Sequence, residues 1–329
     1  MRRRRFLNIS IRGLIVTGAI LDPVRLLMAK VFQTGLVLDD GFKYHQISPN
    51  HPESPGRYHA IIQLFLERGL FDKTVAIKPL NSIDRYLKLN HTEAHIESIK
   101  RHEPEAHSNA SRATAGVLAA IDQVCSGNLV NAFCASRPPG HHAQNTGKEE
   151  GFCYYNHVAI AARYAQQKYK LKKILIVDWD SHHGNGTKES FYSDPDVLYF
   201  STHDFYAYPG TGDPEKTGTG AGKGSNINVH MDCGSGDAEF LAVYQKVLLP
   251  AVKSFKPDLI LISCGFDSRA DDLLGCHNIT DQGYMEMTSF VKKLADKHCQ
   301  GRLVSVLEGG YYLSGMAKAA SLHVIALME

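Results

Sequence analysis

The stretch ILIVDWDSHHGNGT, Ile174 to Thr187, decides how the chain reads. Ile174 to Val177 are four consecutive apolar residues, the pattern of a strand buried on both faces. Asp178, Asp180, His182 and His183 follow at once. Charged groups leaving a buried strand are costly unless a metal, a proton partner or a hydrogen-bonded turn meets them. Asp180 and His182 are two apart, so they project to the same side of an extended segment.

Outward from this stretch, short apolar runs recur at Thr34–Leu38, Val75–Lys78, Val130–Ala135, Val197–Ser201, Ile227–Val229, Leu259–Cys264 and Leu303–Leu307, with Ile174–Trp179 among them. Helical periodicity falls between them, at Arg57–Glu67, His95–Arg101, Thr114–Cys125, Asn156–Lys168, Ala238–Phe255 and Asp281–His298. This alternation predicts an α/β fold in a single domain. The expected architecture is a mostly parallel central sheet of about eight strands, flanked by helices on both faces. No linker, repeat or composition break divides the chain after residue 33. The expected division is a catalytic domain over 33–329 and a basic extension over 1–32. The extension, opening MRRRRFLNISIRG, is free of acids until Asp22 and is expected to be poorly ordered or loosely docked.

Composition narrows the function classes. With 43% apolar and 21% charged residues the 329-residue chain can bury one large core. A formal net charge of +2 argues for neither a nucleic-acid binder nor an acidic tail, and no direct nucleic-acid motif is visible. No apolar run reaches the roughly 20 residues that span a bilayer. The seven cysteines form no CxxC pair, so a zinc-finger or thioredoxin-like reading has no support, and reduced structural thiols are expected. The expected compartment is the cytoplasm. Export or organelle import, directed by the basic N-terminus, is the competing expectation.

In open parallel sheets, ligands bind beyond the carboxyl ends of the strands. The polar clusters fall there: Arg137 to His142, Asp178 to His183, Ser201 to Asp204, Asp267, and Glu308 to Tyr311. They are therefore expected to share one cleft. Asp180 and His182, with a carboxylate from Asp267, make an Asp–His–Asp set that suits a catalytic zinc. Ferrous iron, another divalent metal or a metal-free turn are the alternatives. RPPGHHA, Arg137 to Ala143, is a rigid turn presenting His141 and His142, suited to proton transfer or to further metal ligation. In LEGGYYL, Leu307 to Leu313, Tyr311 or Tyr312 is placed to donate to a developing oxyanion or to pack in the core.

Together these motifs resemble the zinc-dependent histone deacetylase family, which includes acetylpolyamine amidohydrolases and shares its fold with arginase. The matching segments are HPESPGRYHAI, RPPGHHA, GFCYYNHVAIAA, VDWDSHHGNGT, YPGTGD, GKGSNINV, CGFDSRADDLLG and LEGGYYL, spread over about residues 34–325 in the family's order. HPE, HHGNGT and LEGGY resemble the class II branch. The resemblance implies one catalytic zinc held by Asp180, His182 and Asp267. It implies His142 as general base and acid, His141 as its charge-stabilising neighbour and Tyr311 as the carbonyl-polarising hydroxyl. Asp178, behind His141, also matches a ligand of a structural potassium or sodium ion, and Ser201 joins that shell. Asn185 stands behind His142 where class I has aspartate; a neutral amide there makes His142 less basic. Gly151, Phe152 and Tyr208 match the acyl-lysine tunnel, with Tyr208 departing from the commoner phenylalanine. Leu273 matches the position where polyamine-specific relatives carry an acidic gatekeeper.

The implied activity is removal of acetyl or other acyl groups from lysine ε-amines in proteins, histone tails included. Acetylpolyamine or small-amide hydrolysis is the competing enzymatic reading. A catalytically silent acyl-lysine binder is the third, and its expected hallmark, loss of Tyr311, His142 or a metal ligand, is not found in this sequence. The sequence sets no oligomeric state.

Overall fold

The computed structural model describes residues 34–329; the expected basic extension over 1–32 lies outside them. Eight parallel strands form one sheet in the order β2-β1-β3-β8-β7-β4-β5-β6. They are β1 (Thr34–Val37), β2 (Val75–Ala76), β3 (Asn131–Cys134), β4 (Ile174–Asp178), β5 (Val197–His203), β6 (Asn226–His230), β7 (Leu259–Cys264) and β8 (Leu303–Leu307). Every expected strand forms; β2 and β3 are two residues shorter than expected, β5 and β6 two residues longer, and the others agree to within one residue.

The pleat divides each strand between two cores. Ile174 and Ile176 of β4 pack with α3 (Pro104–Cys125) and α4 (His157–Tyr169). Leu175 and Val177 face the other side, with α1 (Pro55–Glu67), α8 (Asp281–His298) and α9 (Leu313–Met328). Both faces of a central strand are thus dry, which is why its sequence is continuously apolar. A second short helix, α2 (Glu93–His102), precedes α3, and α5 (Asn185–Phe191) follows β4.

Three helices differ from expectation, each for a physical reason. The helix expected from Thr114 begins at Pro104, whose missing N–H suits a first turn. Its early turns bury only alanines, Ala106, Ala110 and Ala113, and so show no strong apolar stripe. The helix expected over Ala238–Phe255 is α6 (Asp237–Val243) and α7 (Leu249–Phe255), joined by a π-helical turn at Tyr244–Leu248. Pro250 cannot donate to the preceding turn, and the ladder widens just before it. No periodicity announced α9. It buries Met316, Ala319, Ala320, His323, Val324 and Leu327 and is apolar around most of its circumference, as a helix enclosed by protein must be. Among the described residues no helix is long and apolar enough to cross a membrane.

Candidate active site

Because the sheet is parallel, the carboxyl ends of β3, β4, β7 and β8 lie on one edge. Asp178 closes β4, and the turn after it carries Asp180 and His182. Asp267 follows β7 and Glu308 follows β8. Asp178, Asp180, Asp267 and Glu308 are all essentially inaccessible to solvent.

One oxygen of each of two carboxylates is fixed by backbone. Gly309 N–H donates to Asp180 Oδ2 at 2.8 Å, and Ser181 N–H donates to Asp267 Oδ1 at 2.8 Å. The other oxygens, Asp180 Oδ1 and Asp267 Oδ2, lie 3.1 and 2.9 Å from His182 Nδ1. Ligands around a tetrahedral zinc stand about 3.3 Å apart, given bonds near 2.05 Å. Both separations from His182 are close to that spacing, all three donor atoms lie within 4.8 Å of one another, and backbone amides already orient both carboxylates. Two carboxylates share the space unequally. Burial and the charge of Asp180 push Asp267 up to about 7. Against the cost of burial, His141 and His182 keep Asp180 low. A cation between them favours both in the ionised form. Gly309 is required here: a Cβ would come within 2.3 Å of Asp267 Oδ2 and 2.7 Å of Asp180 Oδ2.

The histidine pair is held by the same strand ends. Glu308 accepts from the backbone N–H of Gly140 at 2.6 Å and of His141 at 3.1 Å, fixing the RPPGHHA turn. His141 Nδ1 bonds Asp178 Oδ2 at 3.1 Å, and that oxygen also accepts from Tyr199 OH at 2.8 Å. His142 Nδ1 bonds Asn185 Oδ1 at 2.8 Å. With a carbonyl oxygen as acceptor, Nδ1 carries the proton and Nε2 keeps its lone pair. The two rings are 4.1 Å apart but differ electrostatically. Burial disfavours a charged His141, yet Asp180, Asp178 and Glu308 outweigh it and push it up to about 10. Burial, then the neighbouring His141 and His182, hold His142 well below the histidine range. His142 is thus less basic than a free histidine, but through burial and its charged neighbours; the hydrogen bond to Asn185 works the other way and favours the protonated ring.

Tyr311 sits over a buried arginine. Arg57 Nε donates to Gly310 O at 2.7 Å, its other nitrogens reach Glu308 O and Glu53, and its guanidinium lies 5.0 Å from the Tyr311 ring centroid. Burial raises the Tyr311 hydroxyl well above its usual range, so it stays protonated as a donor. Asp272 Oδ2 accepts from the backbone N–H of Tyr311 at 2.6 Å and of Tyr312 at 3.1 Å. Arg137 completes this support, paired with Glu53 and donating to Phe42 O at 2.6 Å. The sequence reading gave no role to Glu53, Arg57, Arg137, Asp272 or Glu308.

His142, His182 and Tyr311 border a cavity of about 750 Å³, whose walls include Gly151, Phe152, Tyr208 and Leu274. Gly151 has φ +54, and a Cβ there would lie 2.3 Å from His142 Cδ2 and 2.8 Å from Tyr208 Cε1. Phe152, also at positive φ, is edge-on to Tyr311 at 5.8 Å. The wall residue of the DDLLG turn is Leu274, not the expected Leu273, which is 64% exposed. Leu274 N–H donates to Asp272 Oδ1 at 3.0 Å, a local turn that exchanges the two leucines. Ser201 is the register partner of Asp178, and its hydroxyl pairs with His203 Nδ1 at 2.8 Å. His183 is turned away, bonded to Thr211 Oγ1 at 2.7 Å.

The histone deacetylase domain, as a family, matches residues 51–327. The chain belongs to the histone deacetylase family. It is 37% identical to a probable deacetylase of Archaeoglobus fulgidus, over 90% of this chain and 86% of that one. It is 37% identical to histone deacetylase 5 of Arabidopsis thaliana (90% of this chain, 49% of the relative) and 35% identical to histone deacetylase HDA1 of Saccharomyces cerevisiae (88% and 47%). The chain thus spans about half the length of these plant and yeast relatives. The crystal structure of the HDA15 HD domain superposes with a TM-score of 0.84 at 32% identity, covering 91% of this chain and 88% of that one. Membership makes this a hydrolase domain of the deacetylase kind on an arginase-like fold, with a possible metal-binding cluster at Asp180, His182 and Asp267.

Proposed function

We propose that residues 33–329 form a zinc-dependent catalytic domain that hydrolyses the acetyl group from the ε-amine of lysine in proteins such as histones, releasing acetate. One observation carries this reading: His182, grouped with Asp180 and Asp267 as a donor set, borders the same cavity as His142 and Tyr311. When bound, zinc supplies Lewis acidity, acidifying water and polarising a carbonyl. His142 Nε2, with its lone pair free, takes the proton of the attacking water and returns it to the leaving amine. Tyr311 donates to the carbonyl oxygen as it gains charge. His141, charged at neutral pH, opposes the negative charge that builds beside it. Gly151, Phe152, Tyr208 and Leu274 pack along the lysine methylenes, with Leu273 at the outer rim. We also assign a structural potassium or sodium ion beside Asp178 and Ser201. Both are fully buried, and a cation there favours the ionised Asp178 that burial opposes. Seven free cysteines support a cytoplasmic setting.

Glu149 and Glu150 at the cavity favour a second reading, an acetylpolyamine substrate. Their carboxylates are engaged, however: Glu149 by the Phe152 amide and Glu150 by the Gln144 amide. A rate panel over an acetyl-lysine peptide and acetylspermidine, before and after chelation, tests both readings. The expected result is a higher kcat/KM for the peptide, lost on chelation and restored by zinc. Full turnover in metal-free protein rejects the metal, and an equal or higher rate on acetylspermidine selects the second reading.

A further inference from the structure

Beyond the cavity, the segment after β6 runs beside the loop that carries Asp267 and Leu274. Gly234 N–H donates to Cys276 O at 2.8 Å and Asn278 N–H to Ser235 O at 2.7 Å, and Gly236 and Asn278 form a parallel bridge. Neighbouring strands stand about 5 Å apart, within the Cα separations a disulfide accepts. Cys233 and Cys276 face each other across this pairing. The Cys233 thiol donates to Cys276 O at 3.3 Å and is a hydrogen-bonding neighbour of the Cys276 thiol. Both cysteines are free, and Cys233 is exposed. Cys134, Cys153, Cys264 and Cys299 are buried.

We infer that Cys233 and Cys276 form an oxidisable dithiol, at which a hydroperoxide installs a reversible disulfide that ties the Asp267–Ile279 loop to the segment after β6. Cys233, open to solvent, attacks the peroxide. The O–O bond breaks, its sulfur is oxidised to the sulfenic acid, and the thiol proton leaves with the departing oxygen, as water from hydrogen peroxide or as the alcohol from an organic hydroperoxide. The Cys276 sulfur then attacks the sulfenic sulfur, forming the S–S bond as the S–OH bond breaks. Cys276 Sγ lies 3.4 Å from Asp204 Oδ2, which takes the thiol proton and passes it to the departing hydroxide, giving water. Two thiols lose two hydrogens and two electrons, and one peroxide is reduced.

The tie acts on the cavity through a short run of chain. Leu274, a cavity wall, is two residues before Cys276. Gly275 between them packs so tightly on Asp267 that a Cβ would lie 1.7 Å from its carbonyl oxygen. After Cys276, His277 is pinned to Ser268 Oγ at 3.0 Å and to Met231 O at 3.2 Å. Oxidation takes the Cys276 thiol from Asp204; with His277 pinned on one side, the displacement is passed through the tightly packed Gly275 to Leu274. This consequence for substrate rests on the deacetylase reading; the disulfide itself does not.

The test treats the full chain with limiting hydrogen peroxide, blocks free thiols with iodoacetamide and maps the peptides by mass spectrometry. The expected product is one cross-linked pair, Cys233 with Cys276, lighter by two hydrogens and reversed by dithiothreitol. Its Tm is raised, since the link closes a long loop in the unfolded chain. The same sample shows a raised KM for an acetyl-lysine peptide with kcat little changed. C233S keeps basal turnover and loses the cross-link, the Tm shift and the peroxide effect. Sulfinic or sulfonic Cys233 beside unmodified Cys276, or Cys276 linked to another cysteine, overturns the dithiol. A KM shift that persists in C233S overturns its link to substrate binding. Absence of turnover in the reduced wild-type chain counts against the deacetylase reading alone, because the peptide map still decides the disulfide.

Discussion

Strands β4, β7 and β8 meet charge at both ends, and the two ends treat it differently. At the carboxyl edge they lead into Asp178, Asp267 and Glu308, all fully buried. At the amino edge they are preceded by Lys172, Asp258 and Arg302, each partly or fully exposed. There, Asp258 Oδ2 caps the amides of Lys172 and Lys173 at 2.9 Å each, and solvent screens the rest. At the carboxyl edge no solvent is present to do this. These carboxylates are held instead by backbone amides, histidines and hydroxyls that converge from separate elements. A charge at one edge is therefore replaceable, and at the other it is tied to what the site does.

The comparison breaks most severely at the proposed metal donors. Asp267→Asn removes the oxygen facing His182 as an anionic ligand. Zinc content and kcat/KM should both fall by more than about a hundredfold, the upper loss seen when only a supporting partner of a ligand is removed. Wild-type zinc content in this variant, by atomic absorption, defeats the ligand assignment. Tyr311→Phe separates chemistry from metal binding. Zinc content should hold, while kcat falls by about 10²–10³-fold, the usual cost of one oxyanion donor. A kcat within a few-fold of wild type defeats that role.

A third change tests support rather than chemistry. Glu53 is fully buried between Arg57 and Arg137, so Glu53→Gln leaves two guanidiniums short of a counter-charge. Breaking such a pair costs about 3–5 kcal/mol, read as a drop in the urea midpoint. Burial opposes the ionised Glu53, but Arg137 and Arg57 outweigh it and hold its carboxyl below the usual range. Its folded pKa is thus depressed. The stability it contributes is present above the ordinary glutamate pKa and is lost as pH falls through the lower folded value. The midpoint difference between wild type and Glu53→Gln should therefore narrow in acid. An unchanged difference shows that the loss is steric rather than ionic.

Legibility in the sequence follows the same contrast. The strands were readable because burial on both faces leaves nothing but apolar residues in them. Asp180 and His182 were readable because two-residue spacing in an extended segment fixes their side. Asp267 is 85 residues from His182 in the pair that binds them, and only strand-end placement and the family resemblance linked them. Arg137 and Glu53, 84 residues apart, carry no spacing signal at all. The exchange of Leu273 for Leu274 turned on one Asx hydrogen bond, a detail below the resolution of pattern. Helix α9 lacked a polar face, and without a polar face periodicity has nothing to contrast.

The mildest test moves to the amino edge. Lys256 caps α7 with φ +55, a left-handed conformation, and its N–H closes the turn on Val252 O at 2.8 Å. Glycine is the residue that this position ordinarily takes, because a Cβ is strained there. Lys256 also stands with Lys253 and Lys297 around His298, which burial and those three charges together hold below its usual range. Lys256→Gly removes the strained Cβ and one of the repelling charges, against some added entropy in the unfolded chain. We expect a gain of about 0.5–1 kcal/mol in the urea midpoint, smaller at high salt, with activity untouched. The opposite exchange at the carboxyl edge, Gly309→Ala, drives a methyl group into the Asp180 and Asp267 carboxylates and should abolish zinc binding. If Lys256→Gly instead destabilises the chain, or lowers kcat, the amino edge is no passive end of the sheet. The division of labour between its two edges then fails at the end where it predicts the least.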